Sequence, residues 1–199
     1  MRRNLFIYPL LIIALAVSIG SAQTEQKQYP PAPTELMETP LTDVDGTAFK
    51  LSDLYGKVVL VNLWSEWCAP CRQQMSELIK MQREYYSRGF EVIGINAGDN
   101  DGKSESVRKI KVFADRLGVN YNLAQGTSPI VAPFYKITKA EALPGTILIG
   151  RDGTIRGHWV GSGPGLAMEQ QIRLAGEKAL SEPQPVQYSI IDGTSKPAS

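Results

Sequence analysis

The chain has 199 residues, 43% hydrophobic and 21% charged, with 21 Lys and Arg against 20 Asp and Glu. A net charge of +1 supplies no basic surface for nucleic acid, and the first 22 residues carry two Arg and no acid, leaving 19 cations against 20 carboxylates. Two cysteines and one histidine cannot build a structural zinc site or a framework of several disulfides, so the cysteines act as one pair.

Arg2 and Arg3 precede an apolar run from Leu5 to Ile19, interrupted by Pro9 and Ser18, and the small residues Gly20, Ser21 and Ala22 follow it. That order of charge, apolar run and small residues is the order of a secretory signal. A span of about 18 residues is also near the minimum for a membrane anchor. Residues 1–22 therefore read as a signal peptide or an uncleaved signal anchor, and the chain as exported, to the periplasm or the outer face of the cytoplasmic membrane, where a disulfide persists. Residues 23–40, with Pro30, Pro31, Pro33 and Pro40, read as an extended Pro-rich linker. A single folded domain is placed at 41–181, a flexible tail at 182–199, and the protein is expected to be a monomer.

Within the domain, Asp45-Gly46 between short alternating segments predicts a hairpin. Val58 to Trp64 is an apolar run broken only by Asn62, the pattern of a strand buried on both faces at the sheet centre. Met75, Leu78, Ile79, Gln82, Tyr85 and Tyr86 then fall at helical spacing, with Gln82 the polar exception and Gly89 the stop. Phe90 to Ala97 predicts a second strand, and Val107 to Leu117 a second helix opened by Ser104 and closed by Gly118. Strands joined through helices run parallel, and functional groups in such sheets collect at the C-terminal strand edge. A short strand near Tyr121 to Ala124, an irregular stretch with Pro129 and Pro133, an antiparallel pair joined by Asp152-Gly153, and a helix from about Leu166 to Leu180 complete the α/β pattern.

Cys68-Ala69-Pro70-Cys71 stands where the central strand meets the first helix. Three residues along a helical turn bring two cysteines within reach of a disulfide. Backbone N–H groups and the positive end of the helix dipole favour a thiolate at the first position, so Cys68 is the nucleophile. Cys71, one turn deeper, suits the resolving role. Pro70 is tolerated because an N–H in the first turn has no intrahelical acceptor to lose. An inert staple is the alternative, but so short a loop removes little unfolded-state entropy.

The segment Trp64-Ser65-Glu66-Trp67-Cys68-Ala69-Pro70-Cys71 resembles the active-site segment of thioredoxin-fold proteins. Together with the export signal, the lead-in from Leu51 to Asn62 and Leu143-Pro144-Gly145-Thr146, it resembles the TlpA/ResA/CcmG (DsbE) branch of thiol–disulfide oxidoreductases more narrowly. The resemblance implies a thioredoxin fold, a central mixed β-sheet flanked by helices, with an N-terminal β-hairpin extension. It implies that Pro144 is a cis-proline facing the disulfide, and that its flanking backbone, Leu143 included, receives substrate beside Trp67 and Pro70. It also implies disulfide-bearing exported proteins as substrates, apocytochrome c among them, and a membrane thiol–disulfide electron donor. Thioredoxins carry a buried Asp at the position of Asn62, which cannot titrate. Asp99, at the end of the second strand, is the candidate acid or base for Cys71, with Glu66 as the substitute and a plain turn residue as the alternative.

The remaining motifs carry less. Aligning Gly102 with the glycine of a calcium loop puts Ala97 and Arg108 at ligand positions, and Gly161 to Leu166 lacks the third glycine of a dinucleotide loop. No metal and no cofactor beyond the two thiols is expected, and His158 reads as structural or exposed. The resemblance implies a reductant, because strongly oxidising relatives carry a thiolate-stabilising histidine between their cysteines where this chain has Ala69-Pro70. An oxidase or isomerase, a Cu(I)-binding chaperone and a thiol peroxidase are the alternatives.

Overall fold

The computed structural model describes residues 29–161, 167–185, 188–191 and 194–197. The expected signal or anchor at 1–22 lies outside these residues, and among the described residues no helix is long and apolar enough to cross a membrane.

Five strands form the central sheet in the order β5-β4-β3-β6-β7: β3 (Val58–Trp64), β4 (Phe90–Asn96), β5 (Asn122–Gln125), β6 (Gly145–Ile149) and β7 (Ile155–Val160). As the apolar run predicts, β3 is central and buried along its whole length. It pairs parallel with β4 and antiparallel with β6, so the sheet is mixed. The hairpin around Asp45-Gly46 is β1 (Leu41–Thr42) with β2 (Ala48–Phe49), and Gly46 takes the positive φ of 87° that its turn requires.

Strand alternation divides the interior into two cores. Val58, Leu60 and Trp64 face α2 (Ala69–Tyr85), α3 (Val107–Leu117) and α5 (Ala167–Ser181). Val59, Val61 and Leu63 face α1 (Thr34–Glu38) and α4 (Ser128–Thr138). Trp64 stacks on Phe113 of α3 with ring centroids 5.2 Å apart, a pairing worth about 0.5–1.5 kcal/mol beyond its burial. The polar exception Gln82 is explained by its partner, because its buried Oε1 accepts the Val92 N–H of β4 at 2.8 Å.

Four sequence expectations change. Of the segment read as linker, the described residues from Tyr29 onward lie against the folded body, the Tyr29 ring under the Arg156 guanidinium at 4.3 Å. Pro30 O accepts from Ile155 N at 2.8 Å, Ala32 N donates to Gly153 O at 3.0 Å, and Leu36 and Met37 of α1 are buried. The leading signal there was proline content, which outweighed two apolar residues that needed a partner surface. The stretch with Pro129 and Pro133 is the helix α4, with Pro129 in its first turn, where a missing N–H costs nothing, and Pro133 buried within it. One lost hydrogen bond is outweighed there by burial of Ile130, Pro133 and Phe134. Helix α3 is capped by Ser106, whose Oγ accepts from Lys109 N at 3.3 Å, rather than opened by Ser104. Within the segment read as a tail, β8 (Tyr188–Ile191) and β9 (Thr194–Pro197) pair antiparallel as a separate two-stranded sheet.

Candidate active site

Strand β3 ends at Trp64, the chain turns, and Cys68 becomes the N-cap of α2. A cap residue has non-helical dihedrals and offers an acceptor to the orphan N–H groups of the first turn. Here the acceptor is sulfur: Cys71 N lies 3.2 Å from Cys68 Sγ. Cys68 and Cys71 are joined in a disulfide, with Cα atoms 5.2 Å apart. Cys71 is fully buried and Cys68 is 3% exposed, whereas Trp67 beside them is 53% exposed. Pro70 is half-buried in the first turn of α2.

The Leu143-Pro144 peptide is cis, as the resemblance implies. Leu63 pairs with Gly145, so Pro144 lies at the same sheet edge from which the chain leaves β3 towards Cys68. The Pro144 carbonyl is taken by Gly161 N at 2.7 Å. Leu143, outside any strand, makes no backbone hydrogen bond among the described residues.

Between β3, α2 and β6 is an amide and hydroxyl network that the sequence pattern did not reveal. Asn62 Nδ2 donates to Gln74 Oε1 at 2.7 Å and lies 3.2 Å from Thr146 Oγ1 and 3.3 Å from Gly145 O. Asn62, Gln74 and Thr146 are all buried. These contacts tie three pieces together: the strand leading to Cys68, the helix bearing Cys71 and the strand that follows Pro144. None of the three side chains titrates, so the network holds position without carrying a charge. Gln74 was visible in the sequence as a polar residue one turn beyond Cys71 on the buried face of the helix.

The two candidate carboxylates are both engaged, and neither of their contacts is with a sulfur. Asp99 Oδ1 accepts from Asp101 N at 3.0 Å and Lys103 N at 2.8 Å, shaping the loop after β4. Glu66 Oε2 lies 3.1 Å from Lys109 Nζ, which also binds Glu105 Oε1 at 2.8 Å. Glu105 and Glu66, in that order, raise the Lys109 ammonium above the ordinary lysine pKa by hydrogen bonding. The Glu105 side chain is only 3% exposed. A buried carboxylate is tolerated where donors surround it, and Asn96 Nδ2 supplies a second at 2.7 Å. Asn96 Oδ1 in turn accepts from Gly98 N at 2.9 Å, and Gly98 O faces the Trp67 indole N–H at 3.3 Å. Trp67 is thus fastened to the loop that follows β4, and Glu66 to the first turn of α3. Helical spacing does not announce this pair, because Glu105 stands before the Ser106 cap, outside α3, with its side chain buried. His158 stands exposed on β7.

The match that settles the family covers most of the fold just described: the model of the AhpC/TSA family matches residues 32–158. The chain belongs to that family. This AhpC/TSA-family protein is 30% identical over 158 residues to the thiol-disulfide oxidoreductase ResA of Bacillus subtilis, covering 77% of the chain and 83% of ResA. It is 31% identical over 134 residues to the thioredoxin-like protein YneN of the same organism, covering 67% of the chain and 74% of YneN. A crystal structure of a thiol:disulfide interchange protein of the thioredoxin family from Chlorobium tepidum superposes with a TM-score of 0.64 at 24% identity, over 77% of this chain and 98% of that one. That likeness establishes the thioredoxin-like fold, with its mixed sheet and flanking helices.

Proposed function

We propose that this protein, a thiol–disulfide oxidoreductase, works outside the cytoplasm and in the reductive direction. The observation that carries the reading is the disulfide between the N-cap of α2 and a buried residue of its first turn, beside an exposed indole. In the reduced protein the Cys68 thiolate attacks one sulfur of a substrate disulfide. That bond breaks, the leaving sulfur departs as a thiolate and takes a proton, and Cys68 is held in a mixed disulfide. Cys71 then loses its proton and attacks the Cys68 sulfur, releasing the second substrate thiol and restoring the Cys68–Cys71 bond. Two electrons and two protons pass to the substrate, and a membrane thiol donor resupplies them. The unengaged Leu143 backbone, next to Pro144, offers an extended substrate segment one donor and one acceptor, with Trp67 and Pro70 as the facing wall. Substrates would be oxidised cysteines of exported proteins, with the haem-binding thiols of apocytochrome c the candidate that the family resemblance supplies.

The direction is tested by equilibrating the full chain in dithiothreitol or glutathione buffers and following tryptophan fluorescence. A reduction potential near or below about −230 mV supports the reductant, whereas one of about −120 to −180 mV places the protein among oxidases and isomerases and sinks that half of the proposal.

Asp99 is retained as the acid or base for Cys71, because one carboxylate oxygen orients the loop and leaves the other available. Asp99→Asn should change the pH dependence of exchange, with the thermal midpoint measured alongside. An unchanged profile would remove Asp99 from proton transfer and leave water as the carrier.

A further inference from the structure

Helix α3 presents a groove of about 320 Å³ whose lining includes Glu66, Arg108, Lys109, Val112, Phe113 and Arg116. Its charges are not equivalent. Lys109 is hydrogen-bonded to Glu105 and stands at ion-pair distance from Glu66, so its charge is already engaged. Arg108 and Arg116 are exposed and have no hydrogen-bond or ion-pair partner among the described residues. They stand eight residues apart on one helix, which is about 12 Å along its axis. Val112, midway between them, is 44% exposed, and Phe113 beneath it is the ring on which Trp64 stacks. The groove thus has an apolar floor and two uncompensated guanidinium groups, each a planar fork of donors matched to a carboxylate.

We propose that this groove receives an acidic segment of the protein substrate, next to the cysteine that Cys68 attacks. The proposal rests on the oxidoreductase reading and adds a substrate preference to it. Glu66 lines the groove two residues before Cys68, so its Cα lies within about 7.6 Å of the nucleophile's. An extended segment advances about 3.3 Å per residue. A chain with its cysteine at Cys68 therefore reaches the two guanidinium groups with side chains about two to six residues away from that cysteine. Asp or Glu at those positions, with an apolar residue between, fits the groove.

The test uses the full chain, reduced, and three homodimeric disulfides of a ten-residue peptide with one cysteine. The residues three and six positions beyond the cysteine are Glu, Gln or Lys. Exposed ion pairs contribute little each, so two of them correspond to a preference for the Glu peptide over the Gln peptide of about two- to thirty-fold in second-order rate constant. The preference fades at high salt. Arg108→Gln with Arg116→Gln should erase it, and Arg108→Glu with Arg116→Glu should turn it towards the Lys peptide. Equal rates for all three peptides overturn the groove proposal while leaving the oxidoreductase reading intact. Failure to reduce any of them overturns that reading instead. Arginine-dependent association with phosphatidylglycerol vesicles, without a peptide preference, would assign the patch to a lipid surface and also overturn the proposal.

Discussion

Replacing Cys68 by Ser should reduce disulfide exchange to the buffer rate, whereas replacing Cys71 by Ser should leave a protein that reacts once and stops. The two sulfurs differ in setting rather than in chemistry. Cys68 is the helix cap, with the first-turn N–H groups and the positive end of the helix dipole to stabilise its thiolate. Cys71 is fully buried and should meet no substrate until Cys68 has brought one in. With excess peptide disulfide, the Cys71→Ser protein should accumulate a covalent adduct of one peptide chain, visible as a mass increase that dithiothreitol reverses. The Cys68→Ser protein should show none. An adduct on the Cys68→Ser protein, or sustained turnover by Cys71→Ser, would reverse or dissolve the assignment of nucleophile and resolving thiol.

The second large effect is on stability and lies in strand β4. A Cβ on Gly94 would collide with the Leu123 side chain and come within 3.2 Å of both the Trp64 indole nitrogen and the Tyr121 ring. Neither aromatic can give way easily, since Trp64 is fully buried and stacked on Phe113, and Tyr121 is buried as well. Overpacking of this kind costs about 1–3 kcal/mol, and Gly94→Val should fall at the upper end. For a domain of this size that lowers the thermal midpoint by about 6–12 °C. Gly176→Ala in α5 is the contrast: its Cβ would sit 3.5 Å from Phe90 and 3.6 Å from Met81, ordinary contact distances. Removing a helical glycine there should stabilise by about 0.5–1 kcal/mol. Calorimetry of the two variants should give shifts of opposite sign. A Gly94→Val protein that melts with the parent would mean that the sheet yields there at no cost.

The sequence was most informative where one residue type has one physical meaning. The apolar run of β3, broken only by Asn62, the glycine stops at Gly89 and Gly118, and the paired cysteines at a strand-to-helix junction each led to the right element. Proline was less faithful. Pro129 and Pro133 sit in a helix, and the prolines before residue 34 lie against the end of a hairpin, because proline excludes conformations without saying what packs on it. The polar supports of the site were harder still to read. Asn62 was visible as a misfit in a buried strand, yet its partners Gln74 and Thr146 lie 12 and 84 residues away. Likewise, Glu105 is unremarkable until β4 places Asn96 beneath it. Contacts between side chains distant in sequence have no periodicity, so only the fold shows them.

The docking of residues 30–32 on the turn before β7 shortens the leash in any chain whose first 22 residues stay in a bilayer. Because the Arg156 guanidinium already lies over the Tyr29 ring, 4.3 Å from its centroid, only six residues, 23–28, would then separate the membrane from the folded body, and even fully extended they would span at most about 22 Å. A domain of about 150 residues is wider than that, with a radius of gyration near 15 Å. The leash leaves the body at the Gly153 turn, whereas Leu63 pairs with Gly145 at the other end of the same strands, where the chain turns to Cys68. A protein moored in this way would carry its disulfide at the end of the sheet opposite the mooring, on the side open to exported chains. Meeting a membrane-embedded donor would require it to roll over within nearly all the slack it has.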